Sequence, residues 1–325
     1  MSKASSDWLL CNISKARLAS INAIMEEIID ASDTNFKKLA LHTARMGGKK
    51  LRPSLYLLAL NTGDYYGKEL LTPAAALELI HVASLHHDDV MDRADLRRNA
   101  TSVNAEWGNL NATYSGNYLF SKAISILSQY DTTVNQITCG YISDLCLGQL
   151  KEAENAYNLK LSYEDHIDVL IKKTASLFEL PCKLGALLSG ASDDILEAIT
   201  NYSKHMGIAF QLIDDLLDLK GNPHKTGKTV GTDLIEGVYT YATLYTLHET
   251  DHANKLTHLL TLDDMKPIHI QEAIELISLS GGLNAAKVKA KEHLEIAKNA
   301  LSILPDNNTK TSLLNLTHFI LARDH

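Results

Sequence analysis

The strongest constraint on the fold is the spacing of the apolar residues, which recur every three or four positions along most of the chain. Leu77, Ile80 and Ala83 illustrate this spacing in one segment, and Leu212 and Leu216 in another. Such spacing places apolar side chains on one face of a helix, and almost no segment alternates with the two-residue period of a strand. Only 17 glycines and 6 prolines occur in 325 residues, which disfavours a β protein built on many turns. The sequence therefore predicts an all-α protein.

The predicted helices number about eleven and are separated by breaks, one of which runs from Gly221 to Gly237. An apolar content of 45% is that of a globular chain with a buried core. No low-complexity linker divides the sequence, and no repeat of about 20–50 residues is visible. We therefore expect a single domain covering residues 1–325.

Charge and hydropathy limit the partners. The 31 Lys and Arg residues against 39 Asp and Glu residues give a formal net charge of −8, which argues against binding to nucleic acid or to an anionic membrane surface. No apolar run approaches the roughly 20 residues of a membrane-spanning helix, and the first residues lack the apolar stretch of a signal peptide. The cysteines form no C-x-x-C pair, which favours reduced thiols over a disulfide framework. We expect a soluble cytoplasmic protein.

Two segments share the acidic pattern Asp-Asp-x-x-Asp and start 126 positions apart. On a helix, residues four positions apart share a face, so the first and last carboxylates of each segment repel one another. Helix stability gives no reason for such a pair. One segment of this kind is usually a solvated helix end, but two on apolar helices indicate a common function. The residues are Asp88, Asp89 and Asp92 in the first acidic segment and Asp214, Asp215 and Asp218 in the second.

The type of ligand favours a hard cation. Carboxylate oxygens without nearby cysteines suit Mg²⁺, which usually takes one or two carboxylates together with waters and substrate phosphates. Two carboxylate clusters that face one another would bridge several Mg²⁺ ions to one diphosphate. We therefore predict a magnesium-dependent site for a diphosphate ligand.

Basic residues lie close to both acidic segments in the sequence. Arg97 and Arg98 follow the first segment by five and six positions. The sequence GGKKLRP at residues 47–53 puts cations beside a flexible backbone at a predicted helix start, where anions bind readily. Lys225 and Lys228 lie in the glycine-bearing loop after the second segment. Each alone would be read as a surface cation, but together they indicate a metal-held diphosphate and a second anion site without metal.

With these motifs, the chain resembles the trans-isoprenyl diphosphate synthases of the polyprenyl synthetase family, especially their medium- and long-chain bacterial branch. The resemblance runs from about Phe36 to Arg323, nearly the whole chain. It implies an all-α bundle of the isoprenoid synthase type around a central substrate cavity, usually as a homodimer. The five motifs that carry it, in order, are GGKKLRP, ELIHVASLHHDDVMDRADLRR, KKTASLF, GIAFQLIDDLLD and GKTVGTDL.

The resemblance also implies a reaction and a set of site residues. The enzyme would join isopentenyl diphosphate to an allylic prenyl diphosphate with the help of Mg²⁺, and the released pyrophosphate would take the proton. Mg²⁺ would be held by Asp88, Asp92, Asp214 and Asp218, with support from Asp89 and Asp215. Isopentenyl diphosphate would be bound by Lys49, Arg52, His81 and Arg98, and the allylic diphosphate by Arg97, Lys173 and Lys228. Thr174 and Gln211 would line the point where the carbocation forms.

Product length follows from the residues that precede the first acidic segment. The growing tail is expected to run past this helix, where the fifth and fourth residues before Asp88 are Ala83 and Ser84. In the family, bulky residues at these positions stop growth at farnesyl or geranylgeranyl length. The small residues here therefore predict an all-trans product longer than C20, in the range C30 to C40.

One departure from the family pattern affects the diphosphate site. Val238 follows Gly237 in a slot where many members carry a Lys that binds the diphosphate. Some medium-chain members also lack this Lys. We therefore expect weaker binding of the allylic diphosphate and no loss of activity.

Three other interpretations stay open. A class I terpene cyclase also ionises a prenyl diphosphate, but it would replace the second acidic segment with an Asn/Ser/Glu triad and would need no isopentenyl site. A catalytic subunit that requires a small partner protein is compatible with all six aspartates. A helical protein with acidic cation-binding faces would leave the neighbouring basic residues unexplained. Turnover by the purified chain alone would distinguish among these interpretations.

Overall fold

The computed structural model describes residues 15–30, 34–65, 67, 70–98, 100–220, 230–262 and 264–323. Helices make up nearly all of the regular structure in these ranges, so the predicted all-α class is confirmed. The elements are α1 (Lys15–Asp30), α2 (Thr34–Arg45), α3 (Leu51–Leu60), α4 (Leu71–Met91), the antiparallel strands β1 (Leu96–Arg97) and β2 (Ala100–Thr101), α5 (Val103–Trp107), α6 (Asn109–Leu127), α7 (Thr132–Glu154), α8 (Tyr163–Leu170), a π-helical turn (Ile171–Ala175), α9 (Ser176–Leu188), α10 (Asp193–Lys220), α11 (Thr232–Ile235), α12 (Tyr241–Glu249), α13 (Ala253–Leu260), α14 (Pro267–Leu279), α15 (Gly282–Ala300), a 3₁₀ turn (Leu301–Ile303) and α16 (Asn308–Leu321).

The described residues contain 16 α-helices, more than the eleven or so predicted. Part of the difference comes from very short helices. Helix α11 has four residues and lies inside the break predicted between Gly221 and Gly237, and α5 has five residues. Helices of about one turn are too short to show an apolar period, so the sequence pattern does not reveal them.

The chain divides into two compact units. The first comprises the described parts of residues 1–141 together with 180–199 and 306–312. The second comprises residues 142–179, 200–305 and the described part of 313–325. The prediction of a single domain over residues 1–325 stays a prediction. Each unit holds one of the acidic segments and is described below by itself.

In the first unit, α4 and α6 pack closely because Gly116 has no side chain. A Cβ atom at Gly116 would lie 2.3 Å from Nε2 of His87 and 3.1 Å from the carbonyl oxygen of Ala83. The neighbouring His86 is buried, and its ring nitrogens lie 3.1 Å from Oγ of Ser115 on α6 and 2.9 Å from Oγ1 of Thr43 on α2. Burial lowers the pKa of His86 to about 3. This neutral histidine therefore links three helices just before the first acidic segment.

In the second unit, the π-helical turn lies between two glycines. A Cβ atom at Gly148 on α7 would lie 2.5 Å from the backbone nitrogen of Lys173, and one at Gly207 on α10 would lie 2.7 Å from Cα of Ala175. Only glycine permits backbones to approach this closely. A π-helical turn is rare and often marks a functional site. Here it carries Lys173 and Thr174, two of the predicted site residues.

Candidate active site

The first acidic segment lies at the carboxyl end of α4. Asp88 is half-buried in the last turn, and Asp92 is exposed and caps the helix, its N–H donating to the carbonyl oxygen of Asp88 at 2.8 Å. The last turn of a helix has free carbonyl groups and the negative end of the helix dipole. Carboxylates are unfavourable there unless a cation neutralises them. This location therefore favours a bound cation.

Asp89, between these two residues in the sequence, is fully buried and points at a cation of the chain itself. Its Oδ1 accepts hydrogen bonds from Nε of Arg97, at 2.7 Å, and from Nη2 of the same guanidinium. Its Oδ2 is buried and has no hydrogen-bond partner among the described residues. Asp89 therefore fixes the position of Arg97, which lies on strand β1.

Basic groups surround His81 in the same unit. The pKa of His81 is far below its ordinary value because the ring is buried, and the charges of Arg52 and Arg98 lower it further. Its Nδ1 is buried without a hydrogen-bond partner among the residues that the structure describes. Burial also lowers the pKa of Arg52 to about 10, although the charge of Glu78 opposes this shift. A neutral histidine with a vacant ring nitrogen among cations is suited to bind an anion.

Gly47 and Gly48 directly precede Lys49, and because they lack side chains, the side chain of Arg98 lies against their backbone. The guanidinium of Arg98 donates to the carbonyl oxygen of Gly47. A Cβ atom at Gly48 would lie 2.8 Å from Nη1 of Arg98, and the φ of 135° at Gly48 also favours glycine. The structure thus brings Arg98 to the segment that carries Lys49 and Arg52. The side chain of Lys49 is exposed.

The sequence-based prediction missed Lys50 and Glu78 as members of this cluster. Nζ of Lys50 lies 3.1 Å from Oε1 of Glu78, and both side chains are largely buried. Glu78 lies three residues before His81 on α4, so it faces the same side of the helix. The feature of the sequence that could have revealed this pair is Glu78 itself, an acidic residue within an otherwise apolar helix. Glu78 holds Lys50 and partly neutralises the cluster.

In the second unit, a chain of hydrogen bonds connects three predicted site residues. Oγ1 of Thr174 donates to Oε1 of Gln211 at 2.9 Å, and Nε2 of Gln211 donates to Oδ1 of Asp215 at 2.8 Å. These two contacts fix the orientation of the Gln211 amide. The structure thus brings together the π-helical turn and the second acidic segment.

Lys173 lies beside these residues and pairs with a carboxylate that the sequence did not single out. Its Nζ forms an ion pair with Oε1 of Glu152 on α7. Asp215 is buried, and this burial raises its pKa to about 7 together with the charges of Asp214 and Glu152, while the hydrogen bond from Gln211 opposes the shift. The carboxyl groups of Glu152, Asp214 and Asp215 therefore outnumber the ammonium group of Lys173.

The last carboxylate of the second segment binds the short helix α11. Asp218 accepts the N–H groups of Thr232 and Asp233, each at 3.3 Å. Asp233 is a further acid that the sequence-based prediction missed. Burial and the charges of Asp215 and Asp218 raise its pKa to about 9. The part of this shift that comes from Asp215 and Asp218 reflects a local excess of negative charge, which a divalent cation would relieve.

The donor set fits Mg²⁺ that arrives with a diphosphate. Among the described residues, no group of three or more His, Cys, Asp or Glu side chains is arranged to hold a metal ion by itself. Mg²⁺ needs no such cage, because one or two carboxylates with waters and phosphate oxygens complete its six ligands. Oδ2 of Asp215, like Oδ2 of Asp89, is buried and has no hydrogen-bond partner within the described ranges. Carboxylate oxygens without donors suit a hard cation.

Three further residues that the sequence singled out follow the second acidic segment. Lys228, predicted to bind the allylic diphosphate, and Lys225 lie outside the described residues. Val238 is described, and its N–H donates to the carbonyl oxygen of Asp233 at 2.8 Å. Its side chain brings no charge to the second acidic segment.

A helical fold whose two acidic segments are accompanied by cations is typical of an enzyme that binds diphosphates through metal. The chain belongs to the polyprenyl synthetase family, whose model matches residues 33–277. It is a trans-polyprenyl diphosphate synthase, and hence a prenyltransferase. No helix in the described part of the chain is long and apolar enough to cross a membrane.

Relatives and solved structures support this assignment over almost the full length. Component 2 of the heptaprenyl diphosphate synthase of Geobacillus stearothermophilus is 31% identical over 309 residues, covering 95% of this chain and 96% of the relative. The octaprenyl diphosphate synthase of Escherichia coli is 29% identical, covering 94% and 96%. A polyprenyl synthase from Caulobacter crescentus, in complex with calcium and isoprenyl diphosphate, superimposes with a TM-score of 0.92 at 28% identity and covers 100% of both chains.

Proposed function

We propose that this prenyltransferase joins isopentenyl diphosphate to an allylic diphosphate in the presence of Mg²⁺ and makes an all-trans product longer than C20. The observation that carries the proposal is that each Asp-Asp-x-x-Asp segment contains a buried carboxylate oxygen, Oδ2 of Asp89 or Oδ2 of Asp215, without a hydrogen-bond partner among the described residues. A buried carboxylate oxygen without a donor is unfavourable until a cation binds. A metal-bound diphosphate supplies that cation. The Caulobacter crescentus structure, a complex with calcium and isoprenyl diphosphate, supports this interpretation.

Isopentenyl diphosphate is assigned to the basic cluster of the first unit. Arg52 and Arg98 provide positive charge, and the neutral ring of His81 provides a hydrogen-bonding nitrogen. The pair of Lys50 and Glu78 keeps this cluster from being repelled apart before the substrate binds. Lys49 is expected to reach the same diphosphate from its exposed position. Such a site needs no metal, because guanidinium groups bind phosphate oxygens directly.

The allylic diphosphate is assigned to the acidic segments and their cations. When bound, Mg²⁺ neutralises the diphosphate and makes it a better leaving group. Arg97, fixed by Asp89, and Lys173, fixed by Glu152, donate to the diphosphate oxygens as negative charge accumulates on them. Lys228 is proposed to do the same from its loop. The bond that breaks is the one between the allylic carbon and the diphosphate oxygen.

Thr174 and Gln211 are proposed to stabilise the positive charge on the allylic carbon. The hydrogen bonds of the Gln211 amide to Thr174 and Asp215 fix its dipole before the reaction, so little reorganisation is needed. The double bond of isopentenyl diphosphate then attacks this carbon. The released pyrophosphate takes the proton that is lost, so we assign no side chain as general base. His86 is not a candidate, because both its ring nitrogens contact hydroxyl groups in the core.

The assembly and the product length are the finer parts of the proposal. Ala83 and Ser84 are both small and buried, which favours a tail path that continues past C20. We propose a homodimer, as the resemblance implies. The relatives in Geobacillus stearothermophilus and Bacillus subtilis are described as component 2 of a heptaprenyl diphosphate synthase, which keeps a partner protein as the second candidate. A cytoplasmic location stays a prediction.

The first experiment is incubation of the purified chain with isopentenyl diphosphate, Mg²⁺ and each allylic starter from C5 to C20. Mass spectrometry of the products gives their length. One product longer than C20 is the expected result and would also show that Val238 is tolerated. Products that stop at C15 or C20 would retain the chemistry and contradict the length. No product from any starter would favour a subunit that needs a partner.

A further inference from the structure

Arg323, which the resemblance gave no role, lies against the second acidic segment. It follows α16, and its Nη2 lies 2.5 Å from Oδ1 of Asp214. The guanidinium carbon lies 4.3 Å from the centroid of the Phe210 ring. Phe210 and Asp214 are four residues apart on α10, so one face of that helix makes both contacts. An ion pair and a ring together fix the guanidinium plane.

Two of the three nitrogen atoms of this guanidinium group have no acceptor among the described residues. The Arg323 side chain is only 10% exposed. Its Nε and Nη1 atoms are buried and have no hydrogen-bond partner among the described residues. Burying N–H donors without an acceptor is unfavourable, so such groups in a native protein call for a ligand or water. A full ion pair with Asp214 alone would not explain why two of the three nitrogens lack an acceptor.

The chemistry of the acceptor follows from the donor. A guanidinium is planar, permanently charged and matched to two oxygens of one phosphate group, and these charge-assisted bonds are among the strongest in proteins. The neighbouring carboxylates exclude a free carboxylate ligand by repulsion. They admit an anion that brings its own divalent cations. A Mg²⁺-bound diphosphate meets both conditions.

We propose that Arg323 is a further diphosphate-binding residue, which donates Nε–H and Nη1–H to the diphosphate of the allylic substrate while its Nη2 stays on Asp214. This role rests on the proposed function, because Asp214 is taken to hold the same diphosphate through Mg²⁺. Arg323 thereby adds a cation to a site in which Val238 stands where many relatives carry a Lys. The residue that follows α16 would then be part of the substrate site.

The test measures binding of inorganic pyrophosphate in the presence of Mg²⁺ by titration calorimetry, with no turnover involved. Arg323→Gln removes the charge and is expected to weaken pyrophosphate binding by about tenfold or more. Arg323→Lys keeps the charge but loses the planar pair of donors, so it should recover only part of the affinity. The matched control is Arg45→Gln, because Arg45 forms an ion pair of 2.9 Å with Glu26 on the exposed surface. It should bind as the wild type does.

A second measurement distinguishes diphosphate binding by Arg323 from a purely structural role of its ion pair with Asp214. Mg²⁺ alone should bind Arg323→Gln at least as well as the wild type, because the variant frees the Asp214 carboxylate. Unchanged pyrophosphate affinity in both Arg323 variants would overturn the proposal, and so would a lower melting temperature as their only defect. If Arg323→Gln does not fold, Arg323→Lys alone decides by the same criterion. A wild type that binds no pyrophosphate and turns over no starter would instead refute the proposed function, and this role with it.

Discussion

The two acidic segments have the same sequence pattern and both lie on long helices, yet their side chains are used differently. In the first, the middle residue Asp89 is buried against a cation, Arg97. In the second, the middle residue Asp215 is buried against a neutral amide, Gln211, and the cation Arg323 pairs with Asp214 instead. A repeated motif therefore does not imply repeated electrostatics. The buried carboxylate of the first segment is therefore neutralised by a cation of the chain, whereas that of the second segment lies beside a neutral amide and near the further acid groups Glu152 and Asp233.

The largest expected effect comes from removing the first carboxylate of each segment. Asp88→Ala and Asp214→Ala should each reduce turnover by about 10²–10³-fold or more, because each removes a proposed ligand of the ion that neutralises the leaving group. The measurement is the initial rate of isopentenyl diphosphate incorporation. Circular dichroism should show an unchanged helical signal. Wild-type turnover by either variant would mean that the metal assignment is wrong.

A stability difference is expected at the middle residues. Asp89→Asn removes the charge that pairs with Arg97, whose side chain is 23% exposed, and should cost about 2–3 kcal/mol of unfolding free energy. Asp215→Asn keeps an acceptor for Gln211 and adds no unpaired charge, so its cost should be below about 1 kcal/mol. Urea denaturation of both variants in EDTA gives these values. Equal losses would show that the two segments are electrostatically alike, against the difference described above.

The folding pattern was accessible from the sequence because long helices bury one face and repeat their apolar residues. The identity of the acidic and basic residues was accessible because motifs are local. Their partners were not. Glu152, Asp233 and Arg323 lie 62, 15 and 105 positions from the Asp residues of the second segment nearest to them in sequence, and no local pattern indicates which distant charge will pack against a given carboxylate. Lys50 was missed for a related reason, since Lys49 beside it in the sequence has the same charge and only burial distinguishes them.

The excess of acid groups in the second segment should appear as a pH dependence without metal. Burial, together with the charges of Asp214 and Glu152, raises the pKa of Asp215 in the folded state to about 7 from its ordinary value of 3.8. Between these values the folded state holds a proton that the unfolded state has released, so the unfolding free energy falls as pH rises, by about 1.4 kcal/mol per unit, and the loss is complete above pH 7. Asp215→Asn should remove this contribution.

The measurement compares thermal or urea unfolding of the wild type and Asp215→Asn in EDTA from pH 5 to pH 8. Buried His166 and His293, whose pKa values are lowered to about 4 by burial, act in the opposite direction but are the same in both proteins and cancel in the difference. Asp233 does not cancel, because the charge of Asp215 contributes to its raised pKa, so Asp215→Asn should lower this pKa and enlarge the difference in the same direction. Asp89→Asn is the matched control, and its difference from the wild type should not follow this course. A flat difference for Asp215→Asn would contradict the raised pKa.

The smallest effect on rate is expected from substitutions one helical turn before Asp88. These substitutions should nevertheless change the length of the product. The fourth residue before Asp88 is Ser84, whereas the fourth before Asp214 is Phe210. The two helices therefore differ in bulk at equivalent positions. Ser84→Phe gives α4 the ring that α10 already has, and Ala83→Phe places one at the fifth position.

The side chains of Ala83 and Ser84 are both buried. A phenyl ring at either position must therefore occupy interior volume that a passing prenyl tail would otherwise use. If the tail passes α4, each variant should stop elongation early and shift the product to C20 or below, with the first condensation slowed less than about tenfold. Overpacking by a ring costs about 1–3 kcal/mol, so the melting temperature is measured alongside the product length read by mass spectrometry. A folded variant whose product length is unchanged would place the tail elsewhere. The small residues on α4 would then serve its packing against α6, where Gly116 already brings the backbones together.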